Sequence, residues 1–278
     1  MACITPITLN RAYITMDGAH TDIVPCGKCP KCLRKRQNEW VFRLAQEQSI
    51  SNSACFLTLT YEDKYLPTSF NGHPTLNPDH LTKFLKRLRK ANNSSKTIRY
   101  YAVGEYGTKY LRPHYHLIIF NINQSIIQHY DRIQNIWGHG TVDIAKSEGA
   151  SQRYTLSYIM DSKWEPSQDD DDRHPQFSRK SQKLGSNFLT PQTIDYYRNR
   201  KLDKIILPGG TFMSMPRYYK SKIFSKNELR KISAQTRKEN EMNWDEFINH
   251  DFNMEIQKLN NEIRKHEKIQ RLNKKHAF

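Results

Sequence analysis

Three side chains able to bind a cation fall close together in the middle of this 278-residue chain. In Arg112-Pro113-His114-Tyr115-His116-Leu117-Ile118-Ile119-Phe120 the residue types alternate, which is the period of a β-strand. On such a strand His114, His116 and Ile118 share one face, and Tyr115, Leu117 and Ile119 share the other. Two imidazoles two residues apart on one face can converge on a single cation. Glu105 closes an earlier apolar run, Tyr100 to Val103, within Gly104-Glu105-Tyr106-Gly107. It offers a carboxylate oxygen from a neighbouring strand. A His-His-carboxylate set with open positions suits a divalent ion acting as a Lewis acid. Taken alone, His-x-His fits equally a strand whose polar residues face solvent.

Two further motifs carry chemistry. In Tyr154-Thr155-Leu156-Ser157-Tyr158 the tyrosines stand at i and i+4, on one face of a helix. A phenol can attack a phosphodiester and hold the 5′ end as a phosphotyrosine. With a free pKa of about 10 it needs help, which a cation on the phosphate can provide. The competing reading is a pair of aromatic core residues. Near the N-terminus, Cys26-x-x-Cys29-x-x-Cys32 is too closely spaced for a disulfide scaffold, and Cys3 is the natural fourth member. Four thiolates favour zinc in a closed structural site, with an iron–sulfur cluster as the rival. Cys55 precedes an apolar strand and reads as a core thiol.

The chain is basic, with 44 Lys and Arg against 28 Asp and Glu, a net charge of +16. This points to a polyanion, most simply nucleic acid. Positive runs recur at Arg34-Lys35-Arg36, at Lys86 to Lys90, at Arg179-Lys180 and from Arg264 to Lys275. They suggest an extended basic track. Mean hydropathy is −0.82, and no apolar run approaches the roughly 20 residues of a membrane helix. The N-terminus lacks the charged-then-apolar pattern of a secretion signal. The expectation is a cytoplasmic protein without membrane contact.

The elements that must position these groups read as follows. Residues 1–32 form an irregular, cysteine-tied arm. Lys31 to Ser49 is a basic helix with Trp40 as a core anchor. Cys55 to Tyr61 is a strand. Asn77 caps a helix that starts at Pro78 and turns Leu81, Phe84, Leu85 and Leu88 inward. Arg99 to Val103 and His114 to Asn121 pair as a hairpin. Asn123 to Ile136 is a helix with Ile126, Ile127, Tyr130 and Ile133 on its core face. Thr141 to Ile144 is a further strand, and Ser151 to Lys163 a helix carrying the tyrosines. Residues 165–183, with Asp169 to Asp172, are a polar, solvated insert. Pro208-Gly209-Gly210 turns between two short strands. Residues 225–278 lose Gly and Pro and read as a helical, partly disordered tail with Trp244, Phe247, Ile248 and Phe252 as anchors. The expected division is a cysteine cluster and basic helix (1–50), a catalytic domain (51–224) and a basic tail (225–278).

The order of the parts is specific: a Phe56–Thr60 strand, Glu105, His114-Tyr115-His116, then Tyr154 and Tyr158. With Cys3, with Cys26-Gly27-Lys28-Cys29-Pro30-Lys31-Cys32 leading into Arg34 to Trp40, and with Ser178-Arg179-Lys180-Ser181 and Pro216-Arg217-Tyr218-Tyr219-Lys220, it resembles the HUH superfamily of rolling-circle replication initiators. The likeness is to those of small single-stranded-DNA phages, the gokushovirus-like microviruses, and covers roughly residues 1–220. It implies a compact α+β fold: a central antiparallel sheet carrying the His-x-His strand, flanked by helices, with the cysteine-tied arm before it and a helical extension after it. It implies Mg²⁺ or Mn²⁺ at His114, His116 and Glu105, and Tyr154 and Tyr158 as nucleophiles. The implied reaction nicks single-stranded DNA at an origin, leaves a 5′-phosphotyrosine and a 3′-OH primer, and later rejoins the strand. A host helicase or polymerase would be the partner. Ser157 stands where some family members carry lysine. The alternative is a non-catalytic nucleic-acid-binding zinc protein.

Overall fold

The structure, a computed structural model, describes residues 3–15, 18–107, 109–146, 170–207 and 210–235. Tyr154, Tyr158 and the anchors from Trp244 to Phe252 lie outside the described residues. Among the described residues the chain forms two compact units. One gathers those up to Trp40 with those from Leu189 onward, and the other is Val41–Phe188. The three-part division expected from sequence differs, because residues 189–224 group with the cysteine segment rather than with the sheet.

In chain order the elements are β1 (Ile7–Thr15), β2 (Gly18–Val24), α1 (Pro30–Ser49), β3 (Ala54–Thr60), α2 (Pro78–Ala91), β4 (Arg99–Tyr106), β5 (Pro113–Phe120), α3 (Gln124–Ile127), α4 (Tyr130–Trp137), β6 (Val142–Lys146) and β7 (Phe177–Lys180). They continue with α5 (Pro191–Arg200), β8 (Lys204–Ile206), β9 (Phe212–Ser214) and α6 (Arg217–Ile223). A helix over residues 226–235 opens the C-terminal extension. Its first turn is closed reciprocally by Ser225 and Glu228, the capping-box arrangement.

β6-β3-β5-β4-β7 make one antiparallel sheet. Its apolar face carries Leu57, Leu59, Ala102, Tyr115, Leu117 and Ile119, packed with Leu81, Phe84, Leu85 and Leu88 of α2 and with Ile133 and Trp137 of α4. An isolated 14-residue helix is marginal. Four fully buried side chains, at about 1.5–3 kcal/mol each, are what hold α2 in place. Asn77 caps it as expected, accepting from the Asp79 and His80 amides. On the other face, Arg99 of β4 pairs with the buried Glu47 of α1, whose second oxygen accepts from the Gly185 amide at 2.8 Å.

Several expectations need correction. The N-terminal arm is not irregular: β1 and β2 pair as an antiparallel hairpin. The helix expected over 123–136 is two, α3 and α4, parted at Gln128–His129, and Tyr130 is exposed rather than core. Trp40 is half-buried. The polar insert contains β7, an edge strand short and charged enough to resist further pairing. Within it Asp171 holds Arg173 through both oxygens, and Asp172 accepts from the Asn71 amide. Cys55 is a buried core thiol, as expected.

The turn between α4 and β6 is sterically fixed. Gly138 ends α4 at φ 69°, and Trp137 Nε1 donates to the Thr60 carbonyl at 2.8 Å. Gly140 has φ 149°, and a Cβ there would lie 2.4 Å from the Thr60 carbonyl oxygen and 2.5 Å from the Glu62 amide nitrogen. Gly140→Ala should therefore cost about 2–4 kcal/mol of unfolding free energy in urea titration. Gly72→Ala, at φ 83° in open space, should cost about 1 kcal/mol. Equal losses would show that the close approach at Gly140 is not what constrains the turn.

Candidate metal centre

The register of β4 and β5 sets Glu105 directly opposite His114, and Val103 opposite His116. β3 lies on the other side of β5, with Thr60 opposite His114 and Thr58 opposite His116. Directly opposed residues share a face, so Glu105, His114 and His116 meet on the face away from α2. His114 Nε2 lies 3.0 Å and His116 Nε2 3.1 Å from the same oxygen, Glu105 Oε1. Two ligand atoms held at right angles about 2.1 Å from a small divalent ion would themselves be about 3.0 Å apart.

The donor chemistry fits a cation. His114 Nδ1 donates to the Arg112 carbonyl at 3.1 Å, and His116 Nδ1 is hydrogen-bonded to Thr58 Oγ1 at 3.1 Å. With its Nδ1 proton committed, a neutral His114 turns the lone pair of Nε2 toward Glu105. That arrangement is stable only with a proton or a metal ion between the two atoms. Outer partners of this kind fix the tautomer of ligating histidines. Glu105 Oε2 is buried and has no hydrogen-bond partner, an orphan that a bound cation would satisfy. Phe56 stacks on His116 at 5.4 Å. The side chains of His114 and His116 are 18% and 15% exposed, so an ion can reach them from solvent.

The electrostatics agree. Burial disfavours charge on Glu105, but hydrogen bonds from His114 and His116 outweigh it and hold the carboxyl below its ordinary value. Burial likewise opposes charge on His114, and Glu105 more than offsets it, raising the imidazole.

Cys3, Cys26, Cys29 and Cys32 also converge, with all four sulfurs within 4.8 Å of one another. Cys3 Sγ is 3.5 Å from Cys26 Sγ and 3.8 Å from Cys29 Sγ. Sulfurs about 2.3 Å from a tetrahedral zinc would be about 3.8 Å apart. A hydroxyl from Thr5 and the amides of Lys28 and Cys29 all donate to Cys26 Sγ. The Thr5 bond leads in bringing the Cys26 thiol down to about 5. Burial pushes Cys32 up to about 12, so a cation would be needed to make it a thiolate.

Sequence reading found all seven of these candidate ligands. It missed Thr58 and Phe56, although Phe56-Leu57-Thr58-Leu59-Thr60 alternates and puts Phe56, Thr58 and Thr60 on the face of the histidines. It also overcounted the basic track. Arg87 donates to the carbonyls of Ile136 and Trp137 at the end of α4, and Arg179 donates to the Pro78 carbonyl and to Thr82. These cations satisfy helix termini.

Residues 54–163 match the family of the replication-associated protein ORF2. The chain is 35% identical over 165 residues to the replication-associated protein ORF2 of Spiroplasma virus 4, covering 54% of this chain and 50% of that protein. It is 27% identical over 216 residues to the replication-associated protein VP4 of Bdellovibrio phage phiMH2K, covering 70% and 65%. It is also 27% identical over 216 residues to the replication-associated protein ORF4 of Chlamydia phage 1, covering 71% and 52%. The chain is thus homologous to replication-associated proteins of single-stranded-DNA phages, in agreement with the resemblance read from its motifs. It spans half to two-thirds of the length of these relatives. No solved structure matches, and no helix among the described residues is long and apolar enough to cross a membrane.

Two measurements test the centres. The raised His114 stabilises the metal-free fold fully below the ordinary imidazole value of about 6.5, and that contribution fades as pH rises through its folded value. The lowered Glu105 stabilises it above about 4.3, fading as pH falls through its folded value. Because an ion must displace the imidazolium proton, the rise in Tm caused by Mn²⁺ should grow between about pH 6 and pH 8, and vanish in Glu105→Gln. A rise that shrinks over that range would argue against binding by the histidines. At the cysteines, elemental analysis should find one zinc per chain, lost in Cys26→Ser. Visible absorption from iron–sulfur charge transfer would give the site to the rival cluster.

Proposed function

We propose that this chain is a metal-dependent DNA endonuclease and strand transferase, which nicks single-stranded DNA at a replication origin. The observation that carries this reading is the convergence of His114 Nε2, His116 Nε2 and Glu105 Oε1 on one point of the sheet face. Phage replication-associated relatives give it its biological setting. The ion assigned here is Mg²⁺ or Mn²⁺, which when bound withdraws charge from the scissile phosphate.

The side chains have separable tasks. Arg112, through its carbonyl, and Thr58, through its hydroxyl, hold the two imidazoles with Nε2 forward. Glu105 supplies the negative charge that makes the site favour a divalent cation. Tyr154 or Tyr158 attacks phosphorus: a bond forms from the phenolic oxygen, the bond from phosphorus to O3′ breaks, and the phenolic proton is released. O3′ takes up a proton and becomes the 3′-OH primer, while the 5′ phosphate stays on tyrosine. Attack by a 3′-OH on that phosphotyrosine reverses the step and rejoins the strand. Two tyrosines allow one to cleave while the other still holds the first product. The substrate is an unpaired strand, because the phosphate must reach a small site. The reaction would run in the host cytoplasm, beside the helicase or polymerase that extends the primer. The cysteine cluster is assigned a structural zinc. A non-catalytic zinc protein that binds nucleic acid is the reading this cluster would favour by itself.

Incubating the protein with single-stranded DNA of its own replicon and Mn²⁺ should give an SDS-resistant protein–DNA band, absent with EDTA. His114→Ala should lower its yield at least about 100-fold, and Tyr154→Phe with Tyr158→Phe should abolish it. DNA binding without any adduct, across several origin-containing strands, would sink the nickase and leave the non-catalytic reading.

A further inference from the structure

Between Leu189 and Gln235 the chain carries ten Lys and Arg against three Asp and Glu. Two of these cations hold the fold. Arg198 donates through Nε and Nη2 to the Ile223 carbonyl at 2.9 and 2.7 Å, and Lys220 pairs with Asp203 at 2.6 Å. The remaining lysines and arginines of the segment are exposed. Arg200, Lys201 and Lys204 line an open cleft of about 360 Å³, with Ile232 and Gln235 also in its wall. Their charge is not needed by the core of this unit, which is built from side chains such as Tyr197, Ile205, Met215, Tyr219 and Ile223.

Beside these cations lies apolar surface. β8 and β9 pair with Ile206 opposite Phe212 and Lys204 opposite Ser214. Ile205 is buried at 1%, so the alternation of the strand turns Lys204 and Ile206 outward. Phe212 is 64% and Ile206 44% exposed. The Arg200 guanidinium lies 4.2 Å over the ring of Tyr196, itself 39% exposed. Stacking on one side holds Arg200 flat and leaves its charge to solvent.

Phosphate-binding cations next to uncovered rings match one occupant better than others. A single strand presents phosphates along one edge and flat, apolar base faces along the other. A duplex hides its base faces in the stack. An acidic protein surface would answer the cations but not the exposed phenylalanine.

We infer that the α5–β8–β9 surface is a binding site for single-stranded nucleic acid, separate in its residues from the candidate metal centre. Arg200, Lys201 and Lys204 take the phosphates, and Phe212 takes a base. The inference goes beyond the nicking reaction and requires no cleavage. It supplies a grip on the strand that does not depend on the state of the scissile phosphate.

The test uses the full chain and fluorescence anisotropy of labelled oligothymidylate, with a blunt mixed-sequence duplex as the comparison and no divalent salt added. Phe212→Ala should weaken oligothymidylate binding about tenfold and change duplex binding less than about twofold. Arg200→Gln with Lys204→Gln should flatten the salt dependence by about 1.4 in log–log slope, for two lost phosphate contacts. All three positions are exposed, and circular dichroism checks that each variant is folded; either variant alone suffices for the decision. Unchanged binding of the single strand, or equal losses on strand and duplex, overturns the inference. The adduct assay with the same proteins separates the two readings. Adducts from a wild type whose variants bind normally would end this inference alone. A Phe212-sensitive wild type that never forms adducts would end the nickase alone.

Discussion

The centre depends on one constraint, the register between β4 and β5. Strand side chains alternate faces, so a slip of one residue would carry Glu105 into the apolar layer and Tyr115 out of it. The register is held from the core side. Tyr115 is fully buried, its hydroxyl donates to the Asn77 carbonyl at 2.8 Å, and it meets the Tyr61 hydroxyl at 2.8 Å. Gly104 sits opposite Tyr115 and leaves room for Phe177, whose ring would lie 2.9 Å from any added Cβ. Packing on one face thus fixes ligand geometry on the other. The buried Glu105 is tolerated because two imidazoles face it across that same register.

Much of this was legible because it follows from period. The alternation through His114, His116 and Ile118 placed the histidines on one side and Tyr115, Leu117 and Ile119 on the other. The stripe of Leu81, Phe84, Leu85 and Leu88, and the cap at Asn77, fixed α2 to the residue. The cysteine spacing brought four sulfurs together, with Cys3 reached across a stretch that proved to be a hairpin.

What was not legible lacks a periodic signal. β7 is four residues of mixed polarity, Phe177-Ser178-Arg179-Lys180, and only its pairing with β4 makes it a strand. α3 and α4 part at His129 without Gly or Pro to announce it. The arginines are the larger lesson. Arg43 donates twice to the Leu184 carbonyl, as Arg87, Arg179 and Arg198 do to carbonyls elsewhere. Composition counts each as a charge seeking a polyanion. A guanidinium with five donors also serves to satisfy chain ends that no backbone amide reaches. Net charge therefore overstates the surface left for DNA, and exposure together with partners decides which cations remain available.

The ligands are close in sequence as well as in space. Only nine residues separate Glu105 from His114, whereas β7 must return to β4 across more than 70 residues, with Ser178 meeting Val103. Short loops close with little entropic cost, and contacts of low sequence separation form early in folding. The β4–β5 hairpin can therefore assemble its three ligands before the distant edge strand arrives. A cation captured at that stage would bias the nascent chain toward the native pairing, so divalent ions available during synthesis would act on how fast this protein folds as well as on what it does afterwards.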